Sequence, residues 1–150
     1  MDQYKLIVLT FIITGLWDLV LQFFSHNYDK MPRVIQWFDF IESLKPYFQK
    51  HTLLSAVLLA AFVGAITQAI ILQIIKFPTN ISQVIPFLLI SFLISGLIGF
   101  PMQYSHLFPV LNDTYYKYLG PIRGFYHDGI SGLIVQITLL VIIYGIKFFT

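Results

Sequence analysis

The chain has 150 residues, of which 57% are hydrophobic and 11% charged, and its mean hydropathy is +0.78. Soluble domains carry roughly 25% charged residues, and a soluble fold of this length leaves about a third of its chain's surface in water. The composition therefore indicates an integral membrane protein. The net charge of +2, without a basic stripe, argues against a nucleic-acid partner, and the absence of cysteine excludes disulfides and thiolate metal sites.

Four apolar stretches predict membrane-spanning helices, at about residues 4–24, 52–75, 84–100 and 130–149. Each is close to the ~20 residues that a helix needs to cross the hydrocarbon, and all are too long for barrel strands. The first stretch lacks a signal-peptide cleavage site, so we expect it to remain as a span. The predicted fold is an all-α membrane protein, with one bundle of four transmembrane helices over residues 1–150.

The connection between the first two spans predicts a short interfacial helix at about residues 33–44. Its apolar residues recur at helical spacing, and its polar residues lie opposite. The apolar set is Val34, Trp37, Phe38, Ile41 and Leu44, and the polar set is Arg33, Gln36, Asp39 and Ser43. A helix packed against the other long connection fits the same pattern.

The connections also predict the arrangement of the spans. A turn of five residues, 76–80, joins the second and third spans and favours antiparallel neighbours. The two long connections carry six of the nine Lys and Arg residues. The positive-inside rule therefore predicts cytoplasmic long connections, with both termini on the other side.

Asp18 is an ionisable residue within the first predicted span. A carboxylate costs at least ~2.5–3.5 kcal/mol near the bilayer centre, so Asp18 is expected to face the bundle. It shares a helix face with Thr14 and Gln22. We predict an intramembrane polar site of Asp18 and Gln22 with Gln103 and His106 of the third span or its end. Asp18 would be either a proton or cation site or a polar clamp bonded to a neighbouring span.

Small and polar residues form one row along each of the other spans. The rows are Ala56, Ala60, Gly64 and Gln68; Ser91, Ser95, Gly99 and Gln103; and Asp128, Gly132 and Gln136. Small residues at every fourth position let helices approach closely in membranes. These rows are therefore interpreted as packing faces.

All four histidines are predicted to lie at the end of the bundle that carries the long connections. A second, interfacial cluster is predicted there, of His26, His51, Arg123, His127 and Asp128. A metal or haem site from such residues is conceivable. No His-x-x-x-His or Glu-x-x-His pair is present, so no metal, cofactor or catalytic residue is expected.

The segment from Arg123 to Gly132 resembles a functional motif more than any other stretch of the chain. It contains a cationic residue, two aromatic residues, a histidine, a carboxylate and three glycines. With Lys50-His51-Thr52, it resembles small multi-pass membrane proteins of large DNA viruses that have no assigned activity. The resemblance implies a place in the internal membrane of a virion.

Three functions are compatible with the sequence. The first expectation is a structural or assembly component of a membrane, with the bilayer, other membrane or membrane-apposed proteins, or further copies of the chain as partners. The alternative is a small proton- or cation-coupled transporter or channel that uses Asp18. The third is a membrane-embedded enzyme built on the His/Asp cluster, although no catalytic motif is present.

Overall fold

The computed structural model describes residues 2–50, 53–102 and 121–145. Within these ranges all regular structure is helical and no strand occurs. The helices, in chain order, are α1 (Gln3–His26), α2 (Arg33–Gln36), α3 (Asp39–Ser43), α4 (Lys45–Lys50), α5 (Leu53–Ile74), α6 (Val84–Met102) and α7 (Pro121–Tyr144). Four of them, α1, α5, α6 and α7, are long and apolar enough to cross a membrane. The predicted all-helical fold with four such helices is confirmed.

Helix α7 begins nine residues before the predicted fourth span. Pro121 occupies its first position, where the missing N–H of proline costs no hydrogen bond. The polar residues that follow interrupt the apolar run and so predict a connection, but in the structure they continue the helix. At the other end, Gly145 has a φ of +58°, the left-handed conformation that glycine adopts readily after a helix.

The long helices pack as two close pairs, α1 with α5 and α6 with α7, and α1 also contacts α7. Glycines on one helix face larger side chains on the other, which brings the backbones together. The facing pairs are Gly15 with Val57, Gly64 with Thr14, Gly96 with Phe125 and Gly129 with Phe92. Helices α5 and α6, which the short turn predicts to be neighbours, contact one another only sparsely. A short turn keeps helix ends close, whereas the small residues decide which faces pack.

The outward faces of the long helices are apolar. On α5 the exposed residues recur at every fourth position: Leu54, Leu58, Phe62, Ile66, Ile70 and Ile74. Helix α6 repeats the pattern with Ile85, Leu89, Leu93 and Leu97. Water would penalise such surfaces, whereas acyl chains would not. The fold is therefore compatible with an integral membrane location.

The segment between α1 and α5 differs from the predicted single helix over residues 33–44. It forms the three short helices α2, α3 and α4. The break falls at Phe38, whose φ of −98° and ψ of 80° are not helical. Phe40 and Ile41 are buried, whereas Trp37 is 76% exposed, so the apolar residues do not share one face.

The turn before α2 is held by side chains. Gln36 Nε2 donates to the carbonyls of Tyr28 and Met31, and Tyr28 Oη donates to the carbonyl of Gln36 at 2.6 Å. Partial burial and nearby carboxylates raise the pKa of the Tyr28 phenol, which favours the protonated, donating form. Gln36, predicted to lie on a polar helix face, instead stabilises this turn.

We call residues 39–50, which contain α3 and α4, the cap segment. Its residues Phe40, Ile41, Leu44, Tyr47 and Phe48 form an apolar cluster with Leu21 of α1 and Ala56 of α5. We call this end of the bundle, where α1 ends and α5 and α7 begin, the cap side. The cap segment therefore lies across the cap side of the bundle.

Candidate functional site

A cavity of about 70 Å³ lies between α1, α5 and α7, with Ser95 of α6 also in its wall. A single water needs roughly 10–15 Å³ of such volume, so the cavity could hold several. Both Asp18 and Asp128 line it. Two carboxylates in the wall of a largely apolar cavity make this the candidate functional site.

The cavity extends along the helix axes through the middle of the bundle. Asp18 lies about 12 Å from the cap-side end of α1, at 1.5 Å per residue. Gln68 of α5 and Gln136 of α7 lie deeper, each about 22 Å from the cap-side end of its helix. The polar groups therefore form a column from Asp18 down to the two glutamines.

Asp18 is only 6% exposed, and its Oδ2 accepts a hydrogen bond of 2.8 Å from Gln22 Nε2. The expectation that Asp18 faces the bundle agrees with this burial. The expected partners Gln103 and His106 lie outside the described residues, so a partner from the third span stays a prediction. Gln22 lies one turn away on the same helix, where i, i+4 side chains meet. Among the described residues, no ion pair involves Asp18.

Five hydroxyls in or near the cavity wall differ in whether they have a partner. Thr10, Thr67 and Thr138 donate to the backbone carbonyl four residues earlier, at 2.7–2.8 Å. Thr14 Oγ1 and Ser95 Oγ are also buried, but within the described part of the chain they have no hydrogen-bond partner. Thr14 and Ser95 thus leave two hydroxyl oxygens in the cavity wall without a partner from the described residues.

Two glycines make room for these hydroxyls. Gly64 faces Thr14 and Gly132 faces Ser95, and a Cβ atom at either glycine would collide with the hydroxyl-bearing side chain. The small residues that the sequence indicates as packing positions therefore also shape the cavity wall.

A pair of amides forms the deep end of the cavity. Gln136 Nε2 donates to Gln68 Oε1, and both side chains are at most 2% exposed. Gln136 Oε1 and Gln68 Nε2 have no further partner among the described residues. A buried amide with unused hydrogen-bonding capacity is costly, so this pair favours a polar occupant.

The predicted interfacial cluster is divided by the structure. His127 and Asp128 line the cavity together with Asp18, and His127 Nδ1 lies 3.9 Å from Asp128 Oδ1. Arg123 instead contacts the cap segment, with a 3.0 Å ion pair to Asp39. His26 is exposed, and its Nδ1 lies 2.7 Å from the carbonyl oxygen of Gln22. Gln103, His106 and His51 lie outside the described residues.

The sequence does not indicate which groups from different helices meet at the cavity. Trp17 Nε1 donates to Ser131 Oγ at 3.0 Å and connects α1 to α7. One feature of the sequence could have predicted the contact between Gln68 and Gln136. Helices α5 and α7 both begin on the cap side, and each glutamine is the sixteenth residue of its helix, so the two lie at the same depth. This prediction needs the start of α7 at Pro121, whereas the apolar run predicts a start at residue 130.

Apolar side chains of the described residues lie towards both ends of the cavity. Leu44 and Phe48 of the cap segment line its cap-side end. Beyond the amide pair, Ile71, Leu139 and Leu140 are at most 1% exposed and do not line the cavity. The polar groups of the cavity therefore lie between the cap segment and these three buried apolar residues, which we call the apolar seal.

Among the described residues, no three His, Asp or Glu side chains cluster in a way that could hold a metal ion. Comparison of the chain with family models, curated proteins and solved structures finds no match.

Proposed function

We propose that this chain is an integral membrane protein that carries protons or small cations across a bilayer, with Asp18 as the charged group inside the bundle. The observation that carries the proposal is the cavity lined by Asp18, Thr14, Ser95 and the Gln68–Gln136 pair. Polar cavities at mid-bilayer depth are typical of transport pathways, where ionisable residues face the interior.

The charge of Asp18 supports this function over a polar clamp. A clamp would bond to a neighbouring helix, whereas among the described residues the one hydrogen bond to the Asp18 carboxylate comes from Gln22 on α1 itself. One neutral donor does not compensate a buried negative charge. Asp18 therefore needs a bound proton or cation. Binding and release of that proton or cation is the basic step of transport.

The apolar residues towards the ends of the cavity favour a carrier over an open pore. A pore would need a continuous polar path, whereas beyond the amide pair the described residues include the buried apolar Ile71, Leu139 and Leu140. Transport would then require alternating access, with movement of the cap segment on one side and separation of the seal on the other.

The other expectations from the sequence stay predictions. They are the structural or assembly role with its protein partners, the membrane enzyme, the virion membrane and the cytoplasmic placement of the long connections. The cavity supports a transport function, whereas a purely structural role would not require a cavity.

The test is flux through purified protein in liposomes that contain a pH-sensitive dye, driven by an imposed proton or sodium gradient. Asp18→Asn should lower the flux at least about tenfold, because the uncharged amide cannot release a proton or balance a cation. Asp29→Asn, which changes an exposed carboxylate outside the long helices, is the matched control and should transport like the unmodified protein.

Unimpaired transport by Asp18→Asn, with normal folding shown by size-exclusion chromatography, would contradict the proposal. No flux from the unmodified protein under any gradient would contradict it as well.

A further inference from the structure

We infer that the cavity binds a monovalent alkali-metal cation, held by Asp18, the Thr14 and Ser95 hydroxyls and the amide oxygen of Gln136. The inference rests on the proposed function and deepens it, because it names the class of ion. Its basis is the set of buried oxygens that share one cavity and have no partner among the described residues.

The charge of the site favours a single positive charge. Asp18 Oδ2 is bonded to Gln22, and Oδ1 has no hydrogen bond or ion pair among the described residues. One carboxylate with one monovalent cation is neutral, which minimises the cost of burial in a medium of low dielectric constant. The second carboxylate of the cavity, Asp128, has its Oδ1 3.9 Å from His127 Nδ1 and has a further interaction of its own.

The ligand atoms favour a hard cation. Hydroxyl, amide carbonyl and carboxylate oxygens suit hard ions, whereas sulfur and imidazole suit transition metals. Thr14 Oγ1, Ser95 Oγ and Gln136 Oε1 are all buried oxygens without a hydrogen-bond partner in the described ranges. Thr10 and Thr67, in the same wall, donate hydrogen bonds to backbone carbonyls of their own helices. Thr14 and Ser95 make no such bond among the described residues.

The size of the cavity favours an inorganic ion. Its volume of about 70 Å³ would admit a small cation with a few waters, which would complete the coordination. An organic cation of several carbons would fill this space and displace those waters. Because glycine has no side chain, Gly64 and Gly132 leave room for the hydroxyls of Thr14 and Ser95 in this wall.

Trp17 provides a reporter inside the cavity. It lines the cavity next to Asp18 in the chain, and the only other tryptophan, Trp37, is 76% exposed. In a Trp37→Phe background, the fluorescence of purified protein in detergent therefore reports on the cavity. Sodium chloride would be titrated at fixed pH and ionic strength against N-methyl-D-glucamine chloride.

We expect a saturable fluorescence change with sodium and none with N-methyl-D-glucamine. Asp18→Asn should abolish the change. Thr14→Val, which removes one oxygen and keeps the shape, should raise the sodium concentration at half-saturation at least about tenfold. Thr138→Val is the matched control: its hydroxyl bonds to Ile134 and it does not line the cavity, so the titration should be unchanged.

Two results would overturn the inference. A fluorescence change that follows pH alone, without any response to sodium or potassium, would show a proton site. A response to calcium at concentrations far below those of sodium would show a divalent site. Asp18-dependent proton flux in liposomes without any sodium response would leave the proposed function standing and remove only this inference.

Discussion

Two glycines of the α1–α5 interface differ in the space around them. A Cβ atom at Gly64 would collide with the Thr14 side chain, whereas one at Gly15 would lie 3.3 Å from a γ-methyl of Val57. A γ-methyl at the end of a side chain can shift by a few tenths of an ångström, but the Thr14 Cβ is fixed to the backbone of α1. The two positions therefore form a matched pair.

We predict that Gly64→Ala destabilises the fold by about 1–3 kcal/mol relative to Gly15→Ala, because overpacking at Gly64 separates α1 from α5. Both substitutions gain the same helix propensity, which cancels in the comparison. Thermal unfolding of both variants in one detergent, followed by circular dichroism, measures the difference. Equal melting temperatures would mean that Thr14 moves aside without cost.

The burial of Asp18 could be predicted from the sequence, and its surroundings could not. A carboxylate that faces lipid is costly however the helices are arranged. The identity of Asp18 and its depth in the span are therefore enough to predict that its side chain faces the bundle. The identity of the hydrogen-bond donor depends on the rotamer of Gln22, and the cavity depends on residues of three other helices. No pattern within one span contains that information.

At the level of elements, the cap segment is held to the bundle by apolar packing more than by charge. Phe40 is 5% exposed and stacks on His127, with ring centroids 5.3 Å apart. The Arg123–Asp39 ion pair is about half exposed, and such pairs contribute roughly 0–1 kcal/mol. Phe40 should therefore dominate the attachment of the cap segment.

We predict that Phe40→Ala increases hydrogen exchange across residues 39–50, because loss of a buried aromatic costs about 3–5 kcal/mol. Trp37→Ala is the matched control: Trp37 is an aromatic residue three positions away and 76% exposed, so exchange should change little. Mass-spectrometric exchange on the detergent-solubilised protein measures both variants. Similar protection in both would show that the stack with His127 does not hold the segment.

Element type was easier to predict than element ends. A run of about 20 apolar residues predicts a spanning helix because length and apolarity suffice. The start of α7 depends on Pro121 and on polar residues that continue a helix without an apolar signal. The break at Phe38 lacks any proline or glycine beside it, and the packing of Phe40 and Ile41 onto the bundle accompanies it.

At the scale of the whole molecule, four spans place the ends of consecutive helices on alternating sides. Asp2 and Thr79 should then lie on one side of the bilayer and Asp29 on the other. The chain has no cysteine, so single cysteines at these positions can be labelled with an impermeant maleimide without background. Labelling of Asp2→Cys and Asp29→Cys from the same side would rule out the four-span topology.

The apolar seal has an electrical consequence. Water that reaches the cavity from the cap side would carry the potential of that side inward, so most of the membrane voltage would fall across the packed layer of Ile71, Leu139 and Leu140. A charge that crosses the whole membrane voltage exchanges about 2.3 kcal/mol per 100 mV. An ion that reaches Asp18 from the cap side would sense only a small part of this energy. Its release through the seal would sense nearly all of it, so the departing step is the one on which voltage would act.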